Sequence, residues 1–198
     1  LQFEKNYFVN SKISNYKDYR KKKYADHCKD LINRLNIQET DTILDYGCAT
    51  GALLYEFKRI GLDNIKGTDI SIWAIEEGKK RYGLNRELEY YNVNLLTEKW
   101  DYVLFLDVLE HMPTFEINNI LKILGENKPK RVVLRVPISK KEGEDYVLPV
   151  SRNDKTHIQC HSRKWWVNTF NKNGFKIDYD MHTKSLYSSP GVFVGVFK

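Results

Sequence analysis

Long apolar runs, paired cysteines and a secretory leader are all missing from this sequence. No stretch approaches the roughly 20 apolar residues that a membrane-spanning helix needs. The first residues, Leu1-Gln2-Phe3-Glu4-Lys5-Asn6, lack the basic-then-apolar order of an export signal. Three cysteines, Cys28, Cys48 and Cys160, are an odd number without paired spacing, which argues against a disulfide framework and for reduced thiols in the cytoplasm. An initiator Met is absent too, so a trimmed chain or a piece of a longer protein is expected. Two phosphate-cradling signatures are also lacking. The chain has neither the G-x-G-x-x-G of a dinucleotide site nor the G-x-x-x-x-G-K-[ST] of a P-loop, which speaks against nicotinamide chemistry and nucleotide hydrolysis.

What is present suits one folded domain over residues 1–198. Apolar residues make up 41% and charged residues 29% of the chain, enough for a single sizeable core and too mixed for a disordered segment. The net charge of +6 raises the question of nucleic acid. Its densest source, Arg20-Lys21-Lys22-Lys23, reads as a solvated loop and helix start, so a nucleic-acid partner is not favoured.

The most informative stretch runs from Ile43 to Leu54. A short apolar strand ends on Asp45; Gly47 and Gly51 bracket a loop holding Cys48, Ala49 and Thr50; a helix follows over Ala52–Ile60. About twenty residues later Ile65–Asp69 repeats the design, a strand ending on an acid whose two oxygens suit the vicinal hydroxyls of a ribose. Ile70 then offers an apolar face for a purine. Leu88–Asn94 reads as a third strand, and the segment Trp100–Met112 follows, ending in Asp107-Val108-Leu109-Glu110-His111-Met112. Helical spacing marks Tyr24–Leu35, Ile72–Tyr82 (stopped by Gly83), Phe115–Leu124 (stopped by Gly125) and a helix capped by Ser162. Arg131–Pro137 reads as a buried fifth strand, and Phe175–Met181 with Val192–Lys198 as a closing pair joined without a helix. Alternating strands and helices predict an α/β, Rossmann-like doubly wound sheet with helices on both faces.

D-x-G-x-A-x-G over Asp45–Gly51 resembles motif I of the class I S-adenosylmethionine (SAM)-dependent methyltransferases, with Ala49 in place of the middle glycine. Asp69, and the strand-four segment ending in Glu110-His111-Met112, follow in that family's order. The pattern is most similar to the small-molecule subgroup. The resemblance implies a mostly parallel seven-stranded sheet with an antiparallel last strand. It also implies SAM as cofactor, with S-adenosyl-L-homocysteine (SAH) as product. Expected cofactor contacts are Asp45, Gly47, Cys48, Ala49, Gly51, Asp69, Ile70, Asn94 (or Asn92), Leu95 and Asp107. Tyr16 and Arg20, from an N-terminal lid within 1–23, join them; no regular element is predicted there.

Methyl transfer to a hydroxyl profits from a base near the carboxyl ends of strands four and five. His157, in the long acceptor-side loop 138–161, is the leading candidate, and His111 the second; each is equally readable as a capping or structural histidine. His157, Cys160 and His161 fall within five residues but lack a fourth partner at useful spacing, so no metal is expected. The D/N-P-P-[YF] motif of base-amino methyltransferases and the Pro-Cys pair of cytosine-C5 enzymes are absent. The favoured reading is O-methylation of a small metabolite or sugar. An RNA or tRNA methyltransferase using the basic surface, and a non-catalytic SAM-binding subunit, are the alternatives.

Overall fold

A computed structural model of the chain describes residues 3–10, 14, 20, 24–187 and 189–198. Seven strands form one sheet: β1 (Ile43–Tyr46), β2 (Ile65–Asp69), β3 (Leu88–Tyr90), β4 (Tyr102–Leu106), β5 (Arg131–Pro137), β6 (Ile177–Asp180) and β7 (Val192–Phe197). Their order is β3-β2-β1-β4-β5-β7-β6. The first five strands pair in parallel, while β7 lies antiparallel between β5 and β6. A strand covered on both faces reads as a continuous apolar run, and β5 buries Val132, Val133, Leu134 and Val136 together.

Strand side chains alternate between two cores. Ile43, Leu104, Val133 and Val194 meet Leu31 and Leu35 of α2 (Ala25–Leu35), Leu54 and Phe57 of α3 (Ala52–Arg59) and Ile75 of α4 (Ile72–Tyr82). Leu44, Val103, Phe105 and Leu134 meet Ile117 and Leu121 of α5 (Thr114–Asn127) and Trp166 and Phe170 of α7 (Arg163–Lys172). Helix starts use local chemistry. Ser71 Oγ accepts from the Ala74 amide at 3.1 Å and Ser162 Oγ from Trp165 at 3.4 Å, each cap contributing about 1 kcal/mol.

The structure departs from the sequence reading in four places. Helix α1 (Lys5–Val9) forms where no element was expected, because Tyr7 and Phe8 find a buried surface. The third strand stops at Tyr90: Asn92 Oδ1 accepts from the Asn94 amide at 3.1 Å and opens a 3₁₀ turn over Val93–Thr97 instead. Helix α5 passes through Gly125, the expected stop, and ends at Lys128 in a left-handed conformation (φ 52°). The loop 138–161 holds a short helix, α6 (Pro149–Asn153), with Pro149 in the first turn, where its missing N–H costs nothing.

Candidate active site

Strand β1 sits between β2 and β4, where the winding of the sheet reverses. Such switch points open a crevice beyond the carboxyl ends of the strands. A cleft of about 320 Å³ lies there, lined by Tyr46, Gly47 and Ala49 after β1, Asp69 and Ile70 after β2, and Asp107, Val108, His111 and Met112 after β4. Phe3, Tyr7 and Phe8 close it from the amino-terminal side. Phe8 stacks on Trp73 at 5.5 Å, and Phe3 meets the His111 ring edge-on at 5.3 Å.

The β1 side of the cleft is made of backbone. Gly47 and Cys48 donate their amides to the Thr68 carbonyl at 2.8 and 3.0 Å, which folds the loop onto β2. Gly47 has φ +84°, and a Cβ there would fall 2.4 Å from Val108 Cγ2. Only glycine fits. Ala49 adopts φ 51°, a conformation that costs a residue with a Cβ about 1–2 kcal/mol. Its amide compensates by donating to Asp69 Oδ2 at 2.8 Å, and the Ser71 amide donates to Oδ1 at 2.8 Å. Burial raises the Asp69 carboxyl to about 6 against the pull of these two donors. Asp45, one strand over, is raised to about 7 by burial and by Asp69, with Arg135 opposing. Both acids are therefore poised near neutrality.

The β4 side is made of side chains. Asp107 has φ 60° and is gripped by Arg135 of β5 in a two-pronged pair, Nε to Oδ1 at 2.9 Å and Nη2 to Oδ2 at 2.5 Å. His111 lines the cleft with Nδ1 3.1 Å from the Thr156 carbonyl. Burial and the neighbouring His157 lower its pKa to about 4, so the ring is neutral at pH 7. His157 stands behind it, ring centroids 4.8 Å apart, with Nδ1 2.9 Å from the Ser151 carbonyl. Glu110 is fully buried, and burial with the nearby Asp107 pushes its carboxyl well above the usual range. The Glu110 carbonyl accepts from the amides of Ile158 (2.9 Å) and Gln159 (3.1 Å). That double contact brings the distant loop 138–161, and His157 with it, against the end of β4.

Comparison with known proteins decides the family. A family described as "Methyltransferase domain" matches residues 16–179. The chain belongs to the class I SAM-dependent methyltransferases. Among solved structures, magnesium protoporphyrin IX methyltransferase from Synechocystis PCC 6803 with bound SAH superposes with a TM-score of 0.62 at 18% identity, over 88% of this chain and 82% of that one. The methyltransferase domain of a bacterial Hen1 gives 0.61 at 20% identity, over 88% and 97%. A SAM-dependent methyltransferase from Archaeoglobus fulgidus gives 0.64 at 16% identity, over 87% and 92%. No curated protein sequence matches. The methyltransferase uses SAM, and among its described residues no helix is long and apolar enough to cross a membrane.

The cleft suits such a cofactor. Asp69 offers a carboxylate beside a loop that a Cβ at Gly47 would fill, and Ile70, 47% exposed, lies on the lining next to Tyr91. The other expected contacts divide. Gly47, Ala49, Asp69, Ile70 and Asp107 line the cleft. Asp45, Cys48 and Gly51 lie behind it: Gly51 caps α3, and the Cys48 thiol packs against Gly67, burial and Asp45 pushing its pKa well up. Leu95 is a core residue whose carbonyl accepts from Trp100 Nε1 at 2.6 Å. Asn94 is exposed and off the lining, its side chain outside the turn that Asn92 caps. Arg20 is exposed, its carbonyl accepting from Arg81 Nη2 at 2.7 Å. Tyr16 lies outside the described residues. His157, Cys160 and His161 do not converge: His161 pairs with Glu142 and stacks on Trp165 at 3.7 Å, and Cys160 Sγ donates to the Glu144 carbonyl. Phe3, Tyr7, Phe8, Thr68 and Tyr91 line the cleft without having been singled out. The aromatic density of the first residues was the available signal for three of them.

Proposed function

We propose that this methyltransferase methylates a hydroxyl group of a small acceptor, held at the His111 end of the cleft. The observation that carries the reading is the pairing of an aromatic cover, Phe3, Tyr7 and Phe8, with a neutral imidazole on the wall beneath it. A half-open, mostly apolar cleft with a few polar groups suits a small molecule better than a polymer. Bound SAM supplies an activated methyl group on a sulfonium, so the chain's own task is alignment, water exclusion and management of the acceptor proton.

The residues divide that task. Asp69 accepts from the ribose hydroxyls, and Ile70 with Tyr91 flanks the base. The Gly47–Ala49 backbone bounds the methionine side, where Asp107, fixed by Arg135, adds negative charge. His111, backed by Glu110 and His157, receives the acceptor hydroxyl. The test is calorimetric titration with SAH beside NADH, followed by transfer of labelled methyl from SAM to panels of hydroxylated small molecules and to RNA. Micromolar binding of SAH alone, with label on small hydroxylated acceptors, is the expected result. Label appearing in RNA only, with salt-sensitive RNA binding, overturns the acceptor assignment.

A further inference from the structure

Glu110, His111 and His157 form a cluster whose construction exceeds the needs of a simple base. One ligand atom from each lies within 4.8 Å of the others. Glu110 is completely buried, yet among the described residues neither of its carboxyl oxygens has a hydrogen-bond partner. Buried polar atoms left bare are rare, and each asks for a reason.

The two histidines share a second feature. The His111 Nδ1 contact at 3.1 Å and the His157 Nδ1 contact at 2.9 Å both end on backbone carbonyls, of Thr156 and Ser151. A carbonyl only accepts, so each Nδ1 is the donor and Nε2 is the nitrogen left to act as ligand; His157 Nε2 lies 3.8 Å from Asp154 Oδ2. Metal-binding histidines are oriented in this way by their surroundings. Thr156 extends the arrangement: its Oγ1, 2.8 Å from His111 Nδ1, donates to Asp154 Oδ1 at 2.5 Å. Asp107, paired with Arg135, and Asp154 are the acidic groups acting on the cluster.

We propose that Glu110, His111 and His157 bind one first-row divalent cation at the cleft wall, His111 from the lining and Glu110 and His157 from behind it, with the ion's remaining coordination positions directed to the acceptor hydroxyl. The proposal rests on the hydroxyl-acceptor reading above. Two imidazoles and one carboxylate suit Mn²⁺, Co²⁺ or Zn²⁺ better than Mg²⁺ or Ca²⁺, which prefer all-oxygen shells. Ligand atoms sharing an ion about 2.0–2.2 Å from each lie no more than about 4.4 Å apart. Loading therefore asks the side chains to close by a few tenths of an ångström.

The ion supplies Lewis-acid chemistry. The acceptor hydroxyl gives its proton to solvent, and its oxygen forms the new bond to the methyl carbon. The carbon–sulfur bond breaks with its electron pair on sulfur, so the products are a methyl ether, SAH and one proton. No oxidant or reductant enters.

The experiment titrates MnCl₂ into the metal-stripped full chain, read by calorimetry and by loss of the free Mn²⁺ electron-spin-resonance signal, with MgCl₂ in parallel. SAH titrations of the same samples report the cofactor site independently. One Mn²⁺ per chain is expected. The near-isosteric Glu110→Gln should abolish its binding, and Thr156→Val, which leaves the ligands intact, should weaken it by about 10- to 100-fold. SAH affinity should stay within about twofold in both variants. Normal SAH binding without Mn²⁺ binding overturns the cation site and leaves His111 as a direct base. Mn²⁺ binding that survives Glu110→Gln and His157→Ala unchanged also overturns it. Mn²⁺ binding without SAH binding upholds the cation site and overturns the cofactor assignment instead.

Discussion

The two walls of the cleft are built from different materials. On the β1–β2 side the backbone amides are tied to the chain itself, two on Asp69 and two more on the Thr68 carbonyl, with a glycine where a side chain would collide. Only the buried hydroxyls of Tyr46 and Thr50 stand without a partner there among the described residues. On the β4 side the backbone is equally well tied, but the side chains are not. Glu110 is buried bare, and His111 is held neutral beside a second imidazole. The first wall has one arrangement suited to one cofactor. The second keeps chemical capacity in reserve, which is what an acceptor site requires. Stability resides in one wall and reactivity in the other.

The sharpest way to break this contrast is Asp69→Ala. It removes the carboxylate proposed to meet the ribose and strands the buried amides of Ala49 and Ser71, each orphan costing about 1–3 kcal/mol. SAH affinity should fall at least about 100-fold, the equivalent of two lost hydrogen bonds to a charged group, and the urea midpoint should fall with it. Glu110→Met should act in the opposite sense on stability. An apolar residue of similar shape in place of an unpartnered carboxyl should stabilise the folded chain by about 1–3 kcal/mol in urea unfolding while turnover collapses. A loss of stability there would mean that the carboxyl is better satisfied than its surroundings indicate.

The cofactor wall should also carry its own pH signature. The proposed ribose contact uses the ionised Asp69, whose carboxyl sits near 6. SAH affinity should thus be full above pH 7 and decline below 6, by up to about tenfold per pH unit, since protonation competes with the ligand. Folding stability should run the other way. Asp45 and Asp69 hold their protons more tightly folded, at about 7 and about 6, than unfolded near 3.8. The folded state therefore binds more protons between pH 4 and 7, and stability declines as pH rises through that window. Asp45→Asn should flatten part of that slope in melting curves taken from pH 5 to 8.

The smallest effect is expected at Ala49→Gly. Relief of the left-handed strain, about 1–2 kcal/mol, is offset by about 0.4–1 kcal/mol of unfolded-chain entropy and by loss of a methyl packed among Tyr7, Phe8 and Ala74. The net change should stay within about 1 kcal/mol either way. SAH dissociation rates should rise slightly as the cover over the cleft loses a contact.

The same contrast explains what could be read from the chain. The β1–β2 wall is local: Asp45, Gly47, Gly51 and Asp69 lie within 25 residues, and their order announces strand, turn and helix. The alternation of strands and helices followed from period and punctuation in the same way, while the seven-strand count and the antiparallel last strand came from the family resemblance. The β4 wall is assembled at long range. Nothing in Glu110 or His157 alone shows that a carbonyl and two amides bring residues 47 positions apart into one cluster. The third strand gives way at Asn92, which caps a 3₁₀ turn and leaves Asn94 exposed and off the lining, a choice made by one side-chain oxygen. Helix α1 is too short to show a period, and only the buried surface it finds makes it helical. His157 was singled out for its neighbourhood, but it stands behind His111 and off the lining.

The Glu110 carbonyl, which receives both Ile158 and Gln159, pins the returning end of the excursion that leaves β5. At its start the same excursion is anchored where the Ser139 amide meets the His161 carbonyl and Val147 meets Ile138. Between these anchors the chain from 140 to 145 is exposed, yet its own side chains fasten it. Glu142 accepts from the Ser162 amide and pairs with His161, and Asp145 pairs with Arg152. Because Ser162 caps α7, the hairpin works as a clasp between the excursion and the next helix: a change at Glu142 is felt first at the start of α7, while His157 keeps its own tether to Ser151.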